Sequence, residues 1–225
     1  MVKNLIEEKS GQIQLPPRLK QMLDRGKDDA DGLWGEIAKE LHWFEPWNAV
    51  YKVEKYPFFK WFVGGKTNIS YNCLDYQVFE KNRGNKAAII WESEMGKTRI
   101  LTYGQLLQEV ERFAAALKAL GVGKGDRITL YMPMVPEATI AMLAATRIGA
   151  IHSAVFAGFG FKSVADRIAD AGSKVLVTAD IGYRRGERRR RKTSSVARSV
   201  YRMRCSSVRF LHIGFHINRR GPAQT

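Results

Sequence analysis

From Lys86 onward the apolar residues recur with a regular period. AAIIW (87–91) and RILTY (99–103) flank the turn text ESEMGKT, so residues 86–102 predict a hairpin. Thr102 and Gln105 form a capping box. The helix they open places Leu106, Val110, Phe113, Ala114 and Leu117 on one face before Gly121 stops it. Three strand candidates follow: DRITLYM (126–132), IHSAVF (151–156) and KVLVTAD (174–180). A helix begun by Pro136, running through Arg147 and ended by Gly149, separates the first two; FKSVADRIADAG (161–172) separates the last two. Ile128, Ile151 and Lys174 stand at equal intervals of 23, the length of one strand plus one crossover helix. The pattern predicts an α/β fold with a parallel βαβαβ sheet and right-handed crossovers.

Residues 1–74 read differently. They are dense in aromatics, from Trp34 through Trp43, Trp47 and Tyr51 to Phe62, but hold no sustained period, and Pro16, Pro17, Pro46 and Pro57 interrupt them. This predicts an aromatic-rich helical and loop segment packed over a larger body. Such rings could also stack nucleic-acid bases, but Asp24, Asp28, Asp29, Asp31, Glu36 and Glu40 oppose a phosphate backbone, so packing is the expected role.

Charge changes the picture at one end only. The 37 Lys and Arg residues exceed the 22 Asp and Glu, for a net charge of +15. Eleven of the basic residues lie from Arg188 to Thr225, where there is no acidic residue at all. An excess concentrated in one terminal block describes a tail rather than a basic face. Cys73 and Cys205 form neither a disulfide framework nor a metal-ligand spacing, and no metal site is expected. His212 and His216 are four apart, but Gly214 and β-branched neighbours argue against a helix pairing them. The charged start MVKNLIEEKS does not read as a signal peptide, and no apolar run is long enough for a membrane span, so a cytoplasmic location is expected.

In a parallel α/β sheet, ligands bind beyond the carboxyl ends of the strands. Two glycine-bearing stretches fall there: VFAGFG (155–160) and ADIGYRRG (179–186). If consecutive strands are neighbours, both loops face one crevice. Gly158 and Gly160 would let a ligand approach the backbone, Phe156 or Phe159 offers a flat face, and Arg184 with Arg185 offers cationic forks. A nucleotide carrying phosphates fits that chemistry. Turn chemistry and solvated arginines would produce the same text.

WFVGGKTNISYNCLDY (61–76), LTYGQL (101–106), DRITLYMPMVPEATIAMLAATRIGAIHSAVFAGF (126–159) and TADIGYRRG (178–186) together resemble the amino-terminal part of AMP-forming acetyl-CoA synthetases, within the adenylate-forming ligase superfamily. The resemblance covers most of residues 30–186. It implies a ligase that joins acetate, or a close short-chain acid, to ATP with magnesium, and passes the acyl group from the adenylate to CoA. It further implies that Phe156, Ala157 and Gly158 belong to the pocket for the CoA adenine, and that Arg184, Arg185 and Gly186 hold its phosphate-bearing end. Glu187 stands where relatives often carry a basic residue, and Tyr76 where they commonly carry Arg.

Other implied parts have no counterpart in this sequence: a Gly- and Ser/Thr-rich phosphate loop, an adenylate segment with its acidic residue, and a late catalytic lysine. GVGKGD (121–126) follows a helix and precedes a strand, so its amides lie at the wrong helix end for phosphate. No catalytic residue is assigned, and a non-catalytic fragment is the expectation. Three segments are expected: 1–74, the amino-terminal synthetase segment; 75–187, the truncated start of the AMP-binding domain; and 188–225, a disordered basic tail unlike the family. The tail reads first as out-of-frame translation. The alternative is a genuine module binding nucleic acid or anionic membrane through residues 188–192 and the later arginines. VRFLHIGFHI (208–217) is strand-prone, and an open sheet missing further strands exposes an edge, so poor solubility is also expected.

Overall fold

The computed structural model describes residues 15–179, 181–184, 187–190 and 208–213, and the chain divides between Thr67 and Asn68 into two units. Within the first unit, Pro17 opens helix α1 (Pro17–Asp28), its fixed φ suiting the first helical turn. Asp29 then caps α2 (Ala30–Ala38) by accepting a hydrogen bond from the Gly32 amide at 2.9 Å.

The expectation of helices and loops alone misses a hairpin here. Strand β1 (Ala49–Lys55) pairs antiparallel with β2 (Phe58–Val63), with Tyr51 opposite Trp61 and Val53 opposite Phe59. The period of two is present in AVYKVEK, but Pro57 and the density of rings on both strands disguise it. Several rings do pack as expected. Trp43, Trp47 and Phe62 meet with centroids 4.9–5.3 Å apart, and the Trp43 indole donates to the Ala38 carbonyl at 2.8 Å. Gly65 permits this, because a Cβ there would stand 2.6 Å from the Trp43 ring.

The second unit follows the periodic reading closely. A helix wound in π fashion (Tyr71–Glu80) leads to the hairpin of β3 (Ala87–Glu92) and β4 (Thr98–Thr102). The Thr102–Gln105 capping box opens α3 (Tyr103–Ala119), whose two reciprocal bonds measure 3.2 and 3.0 Å. Strand β5 (Arg127–Tyr131), helix α4 (Pro136–Arg147), strand β6 (Ile151–Ala154), helix α5 (Phe161–Ala171) and strand β7 (Val175–Ala179) complete the predicted alternation. Gly172 ends α5 at φ +59°, a left-handed cap that glycine adopts without a side-chain clash.

Strand alternation sorts the core into two layers. Ile128 and Leu130 of β5, with Val175 and Val177 of β7, pack with Val110 and Leu117 of α3 and with Ile140 and Ala144 of α4. The intervening Tyr131 and Leu176 pack with Val164, Ala165 and Ile168 of α5. Helices α4 and α5 therefore cover different faces of the sheet, as two right-handed crossovers running in opposite directions require.

The sheet differs from expectation in two respects. Strands β6 and β7 are not neighbours but flank β5. Sequence order set the first expectation; the reversal of direction after β6 overrides it. The fourth strand, β10 (Arg209–Ile213), comes from the segment expected to be disordered, and it lies parallel to β7 from Arg209 opposite Val175 to Ile213 opposite Ala179. The physical reason is apolar content: Val208 is buried in the α5 layer, and Leu211 packs against the opposite layer. His212 accordingly sits in a strand, and His216 lies outside the described residues. After β7, β8 (Ile181–Arg184) and β9 (Glu187–Arg190) form a short antiparallel hairpin.

Candidate functional site

The carboxyl ends of β5, β6 and β7 lie at one end of the sheet, since Leu130 is level with Ala154 and with Val177. The chain leaves β5 for β6 on one side and then crosses to β7 on the other. This is the strand-order reversal at which open α/β sheets form a ligand crevice.

The loop after β6 carries the first group of sequence-predicted residues, Phe156, Ala157 and Gly158. Phe156 is 64% exposed, and its ring meets Phe159 edge to face with centroids 5.8 Å apart. Arg167, nearly two turns into α5, stacks its guanidinium 4.6 Å from the Phe159 centroid. The loop is held from below: the Tyr131 hydroxyl, at the end of β5, lies 2.8 Å from the Phe159 carbonyl and 3.2 Å from that of Ala157. A Cβ at Gly160 would meet nothing within 4 Å, so the backbone at the start of α5 is open to approach. The result is an aromatic platform beside a cation at the carboxyl end of the sheet.

The second group is placed less completely. Arg184 ends β8 with Glu187 as its register partner, while Arg185 and Gly186 lie outside the described residues. The register sets Glu187 directly across from Arg184, so a carboxylate-bearing residue neighbours the expected phosphate-binding position. With β5 between them, the β6 and β7 ends stand about 10 Å apart, two strand spacings. That distance suits a ligand spanning the β5 end rather than one wedged between adjacent strands.

Sequence reasoning missed a set of contacts at the other end of the sheet, where α4 ends and β6 begins. Asn68 donates its amide to the Thr146 carbonyl at 2.9 Å, closing the carboxyl end of α4. Arg147 grips Asp75 with both arms of its guanidinium, at 2.6 and 3.0 Å, and also reaches Glu111 at 3.0 Å. These bonds tie the NISYNCLD text to the ATRIG text 72 residues later. Short-range periodicity carries no signal for such a contact.

At this same amino-terminal end of the strands, Asp126 accepts from the Gly123 amide and from Lys174 Nζ, each at 2.8 Å. The Lys174 hydrogen bond foremost, and then the amide, hold the Asp126 carboxyl below its ordinary value. A lowered folded-state pKa adds stability above the unfolded value of about 4, and that stability is lost as pH falls through the folded value. Asp126→Asn should therefore flatten the acid side of the stability profile, read as the urea midpoint between about pH 5 and 3. Among the described residues no three His, Cys, Asp or Glu side chains form a metal-binding group, and no helix is long and apolar enough to cross a membrane.

Comparison with known proteins adds independent findings. The sequence model for the acetyl-coenzyme A synthetase N-terminus matches residues 19–73, and that for AMP-binding enzymes matches residues 76–210. An acetyl-coenzyme A synthetase of Deinococcus radiodurans is 55% identical over 160 residues, covering 71% of this chain and 24% of that protein. One from Rubrobacter xylanophilus is 56% identical over 161 residues, covering 71% and 25%. A 3-hydroxypropionyl-coenzyme A synthetase of Sulfurisphaera tokodaii is 53% identical over 169 residues, covering 75% and 26%. The chain spans about a quarter of the length of these relatives.

Proposed function

We propose that this chain, which belongs to the AMP-binding enzyme family, is the amino-terminal part of a short-chain acyl-CoA ligase and carries part of the CoA site without the ATP site. The observation behind this reading is the exposed Phe156–Phe159 platform with Arg167, set at the strand-order reversal. Phe156, Ala157 and Gly158 would receive the adenine of CoA. Arg184, Arg185 and Gly186 would meet its phosphates, with Glu187 weakening that contact by repulsion. The parent reaction would be acetate, ATP and CoA going to acetyl-CoA, AMP and pyrophosphate, and the relatives' names allow a hydroxylated three-carbon acid as well.

Magnesium would accompany ATP. The described residues offer no cluster of donors for it, and the sequence lacks a phosphate loop. The chain alone should therefore release no pyrophosphate from ATP and acetate. Phe156→Ala should lower its CoA affinity by about tenfold, as loss of one stacking surface implies, without moving its melting temperature, because the ring is exposed. Calorimetric titration of both proteins measures the first effect, and acetate-dependent pyrophosphate release tests the second claim. The basic tail makes a different demand: salt-sensitive retention on nucleic acid or anionic vesicles that vanishes when residues 188–225 are removed.

A further inference from the structure

Tyr131 ends β5 with its ring in the apolar layer beneath α5, packed with Val155, Val164, Ile168 and Leu176, and only 8% of the residue is exposed. A phenol in such surroundings needs a polar partner for its hydroxyl. Both partners it finds belong to the loop after β6: the Phe159 carbonyl at 2.8 Å and the Ala157 carbonyl at 3.2 Å. A hydroxyl has one proton to donate, so the two carbonyls share it, and the loop is drawn onto a single fixed point of the sheet. The residues drawn in form one turn. The Phe159 amide donates to the Phe156 carbonyl at 3.0 Å, and that closure brings the two phenyl rings into their edge-to-face contact.

We propose that Tyr131 is the positioning residue of the aromatic platform: its buried hydroxyl sets the tilt of the Phe156–Phe159 turn on the sheet, and through the turn the angle at which Phe156 meets a planar ligand ring. The identity of that ligand as CoA rests on the ligase reading above; the brace itself does not. Two observations assign the task to the hydroxyl. Phe156 is 64% exposed, so its orientation comes chiefly from the backbone beneath it rather than from neighbours covering its ring. Arg167, whose guanidinium also donates to the Ser163 carbonyl at 3.0 Å, restrains the Phe159 ring but touches neither carbonyl that Tyr131 holds. A loop fixed in advance loses less entropy when the ligand arrives, which is how a residue away from the ligand raises affinity.

Tyr131→Phe keeps the ring in its layer and deletes only the hydroxyl. Amide hydrogen exchange and calorimetric titration with CoA, both on the intact chain, read the two consequences. The Phe159 amide should exchange roughly tenfold faster, while the Val155 amide, bonded to the Leu130 carbonyl at 2.8 Å, keeps its rate. CoA should bind about fivefold more weakly. Thr178→Val removes a different buried hydroxyl, one that donates to the Tyr131 carbonyl at 3.1 Å, and so controls for general loss of stability; it should leave both readouts unmoved. An unchanged Phe159 exchange rate would overturn the proposal. So would equal changes in Thr178→Val, or a native chain that binds CoA with an affinity indifferent to Tyr131→Phe. Faster exchange in a chain that does not titrate CoA would uphold the brace and remove the CoA assignment alone.

Discussion

Replacing Arg147 with methionine should lower the unfolding free energy of the second unit by about 3–5 kcal/mol. The guanidinium bonds both oxygens of Asp75, whose residue is only 9% exposed, and it is the only cation hydrogen-bonded to that carboxylate among the described residues. The hydrogen bond to Asp75 raises the Arg147 pKa, outweighing the lowering by burial, so the group stays charged at any working pH. Methionine keeps most of the volume but leaves the carboxylate buried and uncompensated, which costs more than the pair itself contributes. Asp75→Asn combined with Arg147→Met should recover much of the loss, because the stranded charge is then gone. A chemical-denaturation series on the two single variants and the double variant measures the coupling. Additive losses would mean that the fork carries no special weight.

Shortening the chain to residues 1–187 should make it aggregate more readily than the intact chain. All five residues of β7 are buried, and β10 is its partner on the side away from β5. Without β10, β7 presents a row of unpaired amides and carbonyls along an apolar edge. Burial of Val208 and Leu211, worth roughly 2–4 kcal/mol, goes with it. Leu211→Asp in the intact chain should produce a milder form of the same defect by placing a charge against the α3–α4 layer. Sedimentation velocity distinguishes the outcomes: the intact chain should run as a defined species and the shortened one as a broad heavy distribution. A shortened chain that stays monomeric and equally stable would show that β10 does nothing for the sheet.

How far the sequence disclosed these features follows from the range of the forces involved. The capping box at Thr102, the helix from Pro136 to Arg147 and the helix read over 161–172 are local, and each stands within a residue or two of its expected place. Strand order is not local. The placement of β6 and β7 on either side of β5 depends on which face each crossover helix covers, and the 23-residue spacing holds no record of that. The π-type winding of Tyr71–Glu80 and the Asp75–Arg147 fork likewise arise from tertiary packing. The tail illustrates the opposite case. Its arginines dominated the reading of residues 188–225, while the short apolar run that pairs with β7 was read only as a strand-prone hazard. At the candidate site, Phe156 and Arg184 were found from glycine and charge at strand ends. Tyr131 and Arg167, which hold and flank the platform, belong to periodic elements where a structural role reads the same as a functional one.

Parallel titration of the intact chain with CoA and with ATP bears most directly on the division of the site. Saturable CoA binding, weaker than about 0.1 mM and reduced by Phe156→Ala, with no measurable heat from ATP, is the expected pattern. ATP binding tighter than CoA binding, or CoA binding indifferent to Phe156, would contradict the assignment of this chain as the CoA-side portion of an adenylate-forming ligase.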